Sequence, residues 1–322
     1  MTPKVKMETL IHNSYKNIGG IVVLQDGVKQ YEYYMNDCTQ ETTVQVFSVT
    51  KSIVSLLIGI AMDKGYLKSL DQKVLDFFPE YKVKQGETTL QQITLKDMMT
   101  MTVPYKFKSE PYVDYFGSDD WVVASLDRLG GKGKIGEFRY APVIGPDIFT
   151  GILKKATGQS VNEFATKHLF QPLQIVPKAD RIFANQKEQM EFYKEKDPNC
   201  WVTGPSGVHT GGWGLCLTAM DLAKIGQVYL NNGQWENQTI VSEQWIQEST
   251  EVHSRCKQWD CSYGYLWWIL DENQGIYAAM GDSGNIIYVN PKKKLVVAVA
   301  SLFDKHAKDI RKLICEYIDP MY

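Results

Sequence analysis

Phe47-Ser48-Val49-Thr50-Lys51-Ser52, running on into Ile53-Val54-Ser55-Leu56-Leu57-Ile58-Gly59-Ile60, is the stretch whose reading decides the fold. An apolar run that opens on a serine and closes near Gly65 reads as a buried helix from Val49 to about Lys64. Residues three apart share a helix face, so the Lys51 amine stands one turn from the Ser48 hydroxyl. At the helix N-terminus, free N–H groups and the positive end of the dipole await a developing oxyanion. Four consecutive residues thus supply a nucleophile, a base and an electrophilic setting. An isolated S-x-x-K is also an ordinary Ser-capped helix, and the rest of the chain has to decide between the two.

Working outward, Ile18 to Leu24 and Gln30 to Met35 are β-branched or aromatic runs joined through Asp26-Gly27, the signature of a hairpin. The middle of the chain reads as helices and long loops. Thr94-Leu95-Lys96-Asp97 and Thr218-Ala219-Met220-Asp221 are capping boxes, Asp147 to Thr157 closes on Gly158, and Val161 to Phe170 is a further helix. Strand patterning returns at Tyr263 to Leu270, Gly275 to Met280, Asn285 to Val289 and Leu295 to Leu302, before a last helix from about Ala307 to Ile318. Strands at both ends around a helical middle predict an α+β fold. One antiparallel sheet with flanking helices is built from both chain ends, residues 1–65 and 231–322, and a mostly helical region, 66–230, is inserted between them. The cleft between the two is the expected site.

Composition excludes several classes. With 322 residues, 44% of them hydrophobic, the chain can bury a large core. Its net charge is -2, and Lys292-Lys293-Lys294, the one compact basic run, reads as a hairpin turn, which gives nucleic-acid binding no support. The longest apolar run, Ile53 to Met62, is too short to span a bilayer, and Met1 to His12 lacks an apolar signal core, so no membrane partner and a cytoplasmic location are expected. Six cysteines form no C-x-x-C pair. Cys256 and Cys261 lie near each other and could form a zinc half-site or a disulfide, but free thiols are the simpler expectation. The five histidines fall in no metal-binding spacing, so neither a metal nor a cofactor is expected.

The chain resembles the serine β-lactamase and penicillin-binding-protein superfamily, in particular its class C-like branch of esterases, D-amino-acid peptidases and 6-aminohexanoate-oligomer hydrolases. The resemblance spans nearly the whole sequence. It rests on Phe47 to Ser52, Gly65-Tyr66-Leu67-Lys68-Ser69-Leu70-Asp71, Phe78-Pro79-Glu80, Ile93 to Thr102, Gly136-Glu137-Phe138-Arg139-Tyr140, Ala156-Thr157-Gly158, Gly211-Gly212-Trp213-Gly214-Leu215 and Tyr263 to Trp268. It implies a β-lactamase/transpeptidase-like fold and a serine hydrolase acting through an acyl-enzyme on an ester, amide or short peptide. Ser48 would be the nucleophile, and Lys51 and Tyr140 would share the base and acid work. The resemblance also places the oxyanion hole at the backbone N–H groups of Ser48 and Asn285.

Two departures narrow the substrate. Tyr140-Ala141-Pro142 puts a proline where many relatives carry a substrate-binding Asn, and Pro has no donor. The Lys-Thr-Gly motif finds its best match in Asp282-Ser283-Gly284, where an anion replaces the cation that would attract a β-lactam carboxylate. A poor β-lactamase is therefore expected. A D-amino-acid peptidase or amidase, with Asp282 receiving an ammonium, is the alternative enzyme, and a non-catalytic ligand sensor is the alternative of another class. Pro142, Asp282, Ser283, Gly284, His209 and Trp213 are the expected substrate-binding residues. Two imitations carry less weight. Gly281-Asp282-Ser283-Gly284 resembles a trypsin-like nucleophile motif, but Asn285 follows and the upstream half is helical; Ser118 in Ser118-Asp119-Asp120 reads as part of a loop that caps the helix at Trp121.

Overall fold

A computed structural model describes residues 2–322. The helix predicted from the opening stretch runs Val49–Asp63, and every residue from Val49 to Ala61 is buried. A helix apolar on all sides has to lie inside the protein. Gly65 then takes a left-handed conformation that ends it.

One face of this helix meets an eight-stranded antiparallel sheet. Its order is Val28–Tyr34, Ile18–Gln25, Leu295–Ser301, Asn285–Asn290, Ile276–Gly281, Trp268–Asp271, Cys261–Tyr263 and Ser254–Cys256. The N-terminal hairpin and the C-terminal strands thus share one sheet, with Val22 opposite Ala298 and Ile287 opposite Ala298 on the next strand. Both faces are buried, and the strand period of two sorts the side chains. Val22, Ala298, Ile287 and Ala279 face the central helix, while Ile21, Val297, Ile286 and Tyr288 face a second layer formed by the Pro3–Ser14 helix and the C-terminal turns. Helix Ala219–Leu230 also lies on the inner face. Gly226 makes that possible, because a Cβ there would press on Val296 and Ile287.

The strand pattern departs from expectation in one place that matters to the site. Tyr263 to Leu270 is two short strands, not one, because the chain leaves the sheet at Gly264 and returns at Trp268. Leu266 adopts a left-handed φ of 61° there; its N–H donates to Met99 O and its carbonyl accepts from Ser52 Oγ at 2.6 Å. The excursion ties the sheet to the first turn of the central helix. Two further elements give no strong periodic signal, the helix Pro3–Ser14 and the edge strand Ser254–Cys256. The last helix begins at Ile310, capped by Asp309, and finishes as a wider π-turn through Ile318. Both predicted capping boxes form, at Thr94/Asp97 and Thr218/Asp221, and Gly158 closes its helix in the left-handed conformation. No helix among the described residues is long and apolar enough to cross a membrane.

Candidate active site

Ser48 is the N-cap of the central helix, yet its side chain makes no capping bond. Its Oγ is instead 2.8 Å from Lys51 Nζ. Phe47, just before it, holds a φ of 48°, a costly conformation for an aromatic residue and one that recurs at functional turns. The hydroxyl is therefore turned outward at the mouth of a cleft of about 720 Å³.

Lys51 is 1% exposed. Besides Ser48, its amine reaches Pro142 O at 2.6 Å and Gly212 O at 3.1 Å. No carboxylate touches it. Burial among neutral oxygens pushes its pKa down to about 8, against the pull of Glu110, Asp282 and Asp147 at longer range. Tyr140 lies beside the pair, its ring centroid 5.1 Å from Lys51 Nζ. Burial drives the Tyr140 phenol well up, and the nearby Ser48 hydroxyl only partly opposes it.

The strand Ile276–Gly281 ends against Ser48. A Cβ on Gly281 would run into Val46 O and stand 3.1 Å from Ser48 N, so only glycine permits this approach. The expected oxyanion donor, Asn285, is not at this point. Its N–H donates to Asp282 O, its side chain bridges Asp282 O and Ser301, and the residue is fully buried behind the cleft. Gly284 likewise faces Ile310 and Ser301, and Ser283 is turned toward Asp304, whose N–H it accepts at 3.0 Å. The cause is a three-residue turn, Asp282–Gly284, that follows the strand. The glycine equivalent in position to the expected motif is Gly281, three residues earlier, and Ala279-Met280 stand before it.

Asp282, Pro142 and Trp213 line the cleft as expected, whereas His209 does not. His209 is 1% exposed and pairs through Nε2 with Asp180 at 2.9 Å on another side of the helical region, where burial lowers its pKa. Ser118 bonds Tyr115 O and stays in its loop. The sequence reading missed most of the cleft wall. Phe47, Tyr193 and Phe303 form a triangle of rings with centroids 5.5–6.0 Å apart, and Trp259 and Trp268 pack on Tyr140. Scattered aromatics give no local motif, so only the fold collects them. All six cysteines are free thiols, and no cluster of three or more potential ligands fit for a metal ion occurs among the described residues.

An apolar helix carrying Ser and Lys at its start, set against a glycine-ended strand of an antiparallel sheet, defines a β-lactamase/transpeptidase-like hydrolase. The chain belongs to the beta-lactamase family, whose sequence profile matches residues 9–312. It is 23% identical over 301 residues to the 6-aminohexanoate-dimer hydrolase of Paenarthrobacter ureafaciens, which covers 87% of this chain and 71% of that one. Among solved structures it is similar to EstCE1, a hydrolase with promiscuous acyltransferase activity, with a TM-score of 0.75, 15% identity and coverage of 98% and 97%. The octameric penicillin-binding protein homologue of Pyrococcus abyssi gives a TM-score of 0.73 at 22% identity, covering 99% of this chain and 77% of that one. The protein is thus a serine hydrolase of this family.

Proposed function

We propose that the protein hydrolyses esters or amides through an acyl-enzyme on Ser48, with Lys51 as the base. The contacts of Lys51 carry this reading. A neutral amine has two hydrogens and one lone pair; Pro142 O and Gly212 O take the hydrogens, which leaves the lone pair for the Ser48 hydroxyl 2.8 Å away. The departure at Pro142 thereby acquires a use, since a carbonyl needs no side-chain donor.

In the first step the Ser48 proton passes to Lys51 as Oγ bonds to the substrate carbonyl carbon, whose π electrons move onto oxygen. That oxyanion is held by Ser48 N–H and, in place of Asn285, by the N–H of Asp282, the residue just after Gly281. Tyr140, with its phenol pushed up and hence protonated, is suited to donate to the leaving group while Lys51 is suited to accept. Collapse breaks the carbon–leaving-group bond as Tyr140 gives its proton to the leaving group. The proton taken by Lys51 then passes to the Tyr140 oxygen, which restores both groups. Water attacks the acyl carbon with its proton going to Lys51, and collapse releases the acid as Ser48 Oγ regains a proton.

The aromatic walls favour apolar acyl or leaving groups. A second reading is supported by Asp282, an exposed carboxylate on the cleft beside Ser48. It favours amides that carry an ammonium, and the similarity to a 6-aminohexanoate-dimer hydrolase points the same way. Intact-mass spectrometry after incubation with p-nitrophenyl esters, D-alanyl amides and penicillin tests these readings together. Acyl adducts are expected from the esters on the native chain and none on Ser48→Ala, with little turnover of penicillin. Undiminished acylation of Ser48→Ala would refute the assignment.

A further inference from the structure

We propose that Asp147 is a positioning residue for this reaction, clamping together the two loops whose carbonyls grip the Lys51 amine. The inference rests on Lys51 being the base. Asp147 opens the helix Asp147–Thr157 and is 1% exposed, and the acyl-transfer steps leave it unused. A buried carboxylate needs compensation, and each oxygen has one partner. Oδ1 accepts from Gly211 N at 2.7 Å, and Oδ2 accepts from the hydroxyl of Tyr115, itself fully buried.

The placement of those bonds gives the carboxylate its role. Gly211 precedes Gly212, whose carbonyl holds one hydrogen of Lys51, and Asp147 ends the loop that begins at Pro142, whose carbonyl holds the other. The two loops touch along their length. A Cβ on Gly211 would run into the carbonyl of Pro146, and one on Gly212 would stand 3.2 Å from Pro142 O. Glycine at 211 is what allows this approach, glycine at 212 eases it, and the Asp147–Gly211 bond fixes its register. At the start of the Pro142 loop, Glu110 plays a matching part, accepting from Val143 N at 3.1 Å and Ile144 N at 2.9 Å. The carbonyl pair that orients the Lys51 lone pair is thus built by carboxylates that never touch the amine.

Asp147 also acts through its charge. Lys51 is faced by Asp147, Glu110 and Asp282, each favouring its protonated form, and by the neutral ring of Tyr140. Asp147 in turn is faced by Tyr115, Lys51 and Glu110; burial raises its own pKa to about 6, with the Tyr115 and Gly211 bonds and Lys51 opposing. Above that pH it is an anion near the base. Removing its charge makes Lys51 lose its proton more readily and moves the acid limb of kcat/KM to lower pH.

The test is steady-state hydrolysis of a short p-nitrophenyl ester across pH by Asp147→Ala, Asp147→Asn, Tyr115→Phe and, as a control on the base, Lys51→Met. Asp147→Ala should lower kcat by about 10²-fold with KM nearly unchanged, since misplacing a reacting group by an ångström costs on that order. Asp147→Asn keeps an acceptor for Gly211, so it should lose less and shift the acid limb to lower pH. Tyr115→Phe, which leaves the charge, should not shift that limb. Should Asp147→Ala fail to fold, the other two variants still decide. A native kcat and an unmoved limb in Asp147→Asn, with Lys51→Met inactive, would overturn the role of Asp147 alone. Retained activity in Lys51→Met would instead overturn the reading of the base.

Discussion

Among the described residues two lysines are buried, and they are solvated in opposite ways. Lys51, on the central helix, reaches only neutral oxygens, those of Ser48, Pro142 and Gly212. Lys178, in the helical region, has a fully buried side chain that bonds Asn199 Oδ1 at 3.0 Å and faces Asp221 at 3.9 Å. Burial lowers both pKa values, but at Lys178 the Asp221 carboxylate is the leading opposing influence, and it stands near enough to pair. Depth alone therefore does not set how readily a buried lysine gives up its proton. The choice of acceptor does: carbonyls and a hydroxyl hold an amine in place without paying it to keep its proton.

The comparison breaks most visibly if Lys51 is replaced. Lys51→Met should cut kcat for a p-nitrophenyl ester by about 10²–10⁴-fold, the usual worth of a positioned base. A loss below tenfold would mean that Lys178 and Lys51 differ in surroundings but not in role. Next in size is a pH effect on stability. The folded pKa of Lys51, about 8, lies below its ordinary 10.5, so between those values unfolding takes up a proton and stability rises with pH. The shift corresponds to about 3 kcal/mol across that window. Denaturant melts of the native chain minus those of Lys51→Met should show this slope, and a flat difference would contradict the lowered pKa.

Smallest on activity is Lys178→Met. It should leave kcat/KM near native while lowering stability by about 1–3 kcal/mol, because Asp221 and Asn199 lose a buried partner. The capping bond from Thr218 N to Asp221, 3.1 Å long, limits that loss. Thermal melts and ester kinetics on the same preparation would sharpen the contrast, each lysine failing in the assay where the other succeeds.

Much of this was legible from residue order. The central helix is readable because an unbroken apolar run after Ser48 has one physical solution, and the hairpin through Asp26-Gly27 and the capping boxes are local chemistry. Lys51 and Ser48 share a helix turn, so their contact follows from spacing. The second donor proposed for the oxyanion hole does not. Asp282-Ser283-Gly284 contains the right kind of glycine, but a tight turn sets the register, and a slip of three residues moved the close approach to Gly281. His209 had only its neighbourhood to recommend it, and burial beside Asp180 claimed it. Asp147 carried no signal beyond that of a helix start, since its importance lies in Gly211, 64 residues away. The aromatic wall joins Phe47, Tyr193, Trp259 and Phe303 from four separate segments, and no window of sequence contains it.

The sheet order has a consequence for how the protein comes into being on the ribosome. Strand Ile18–Gln25 is synthesised early, yet its inner neighbour is Leu295–Ser301, and the strand that closes against Ser48 is Ile276–Gly281. Pairings so distant in sequence form late, after the intervening chain has been made. Ser48 is thus translated within the first sixth of the sequence but meets Gly281 only near the end of synthesis. Under the proposed mechanism a nascent chain carries Ser48 in an inert setting, and reactivity arrives together with the fold.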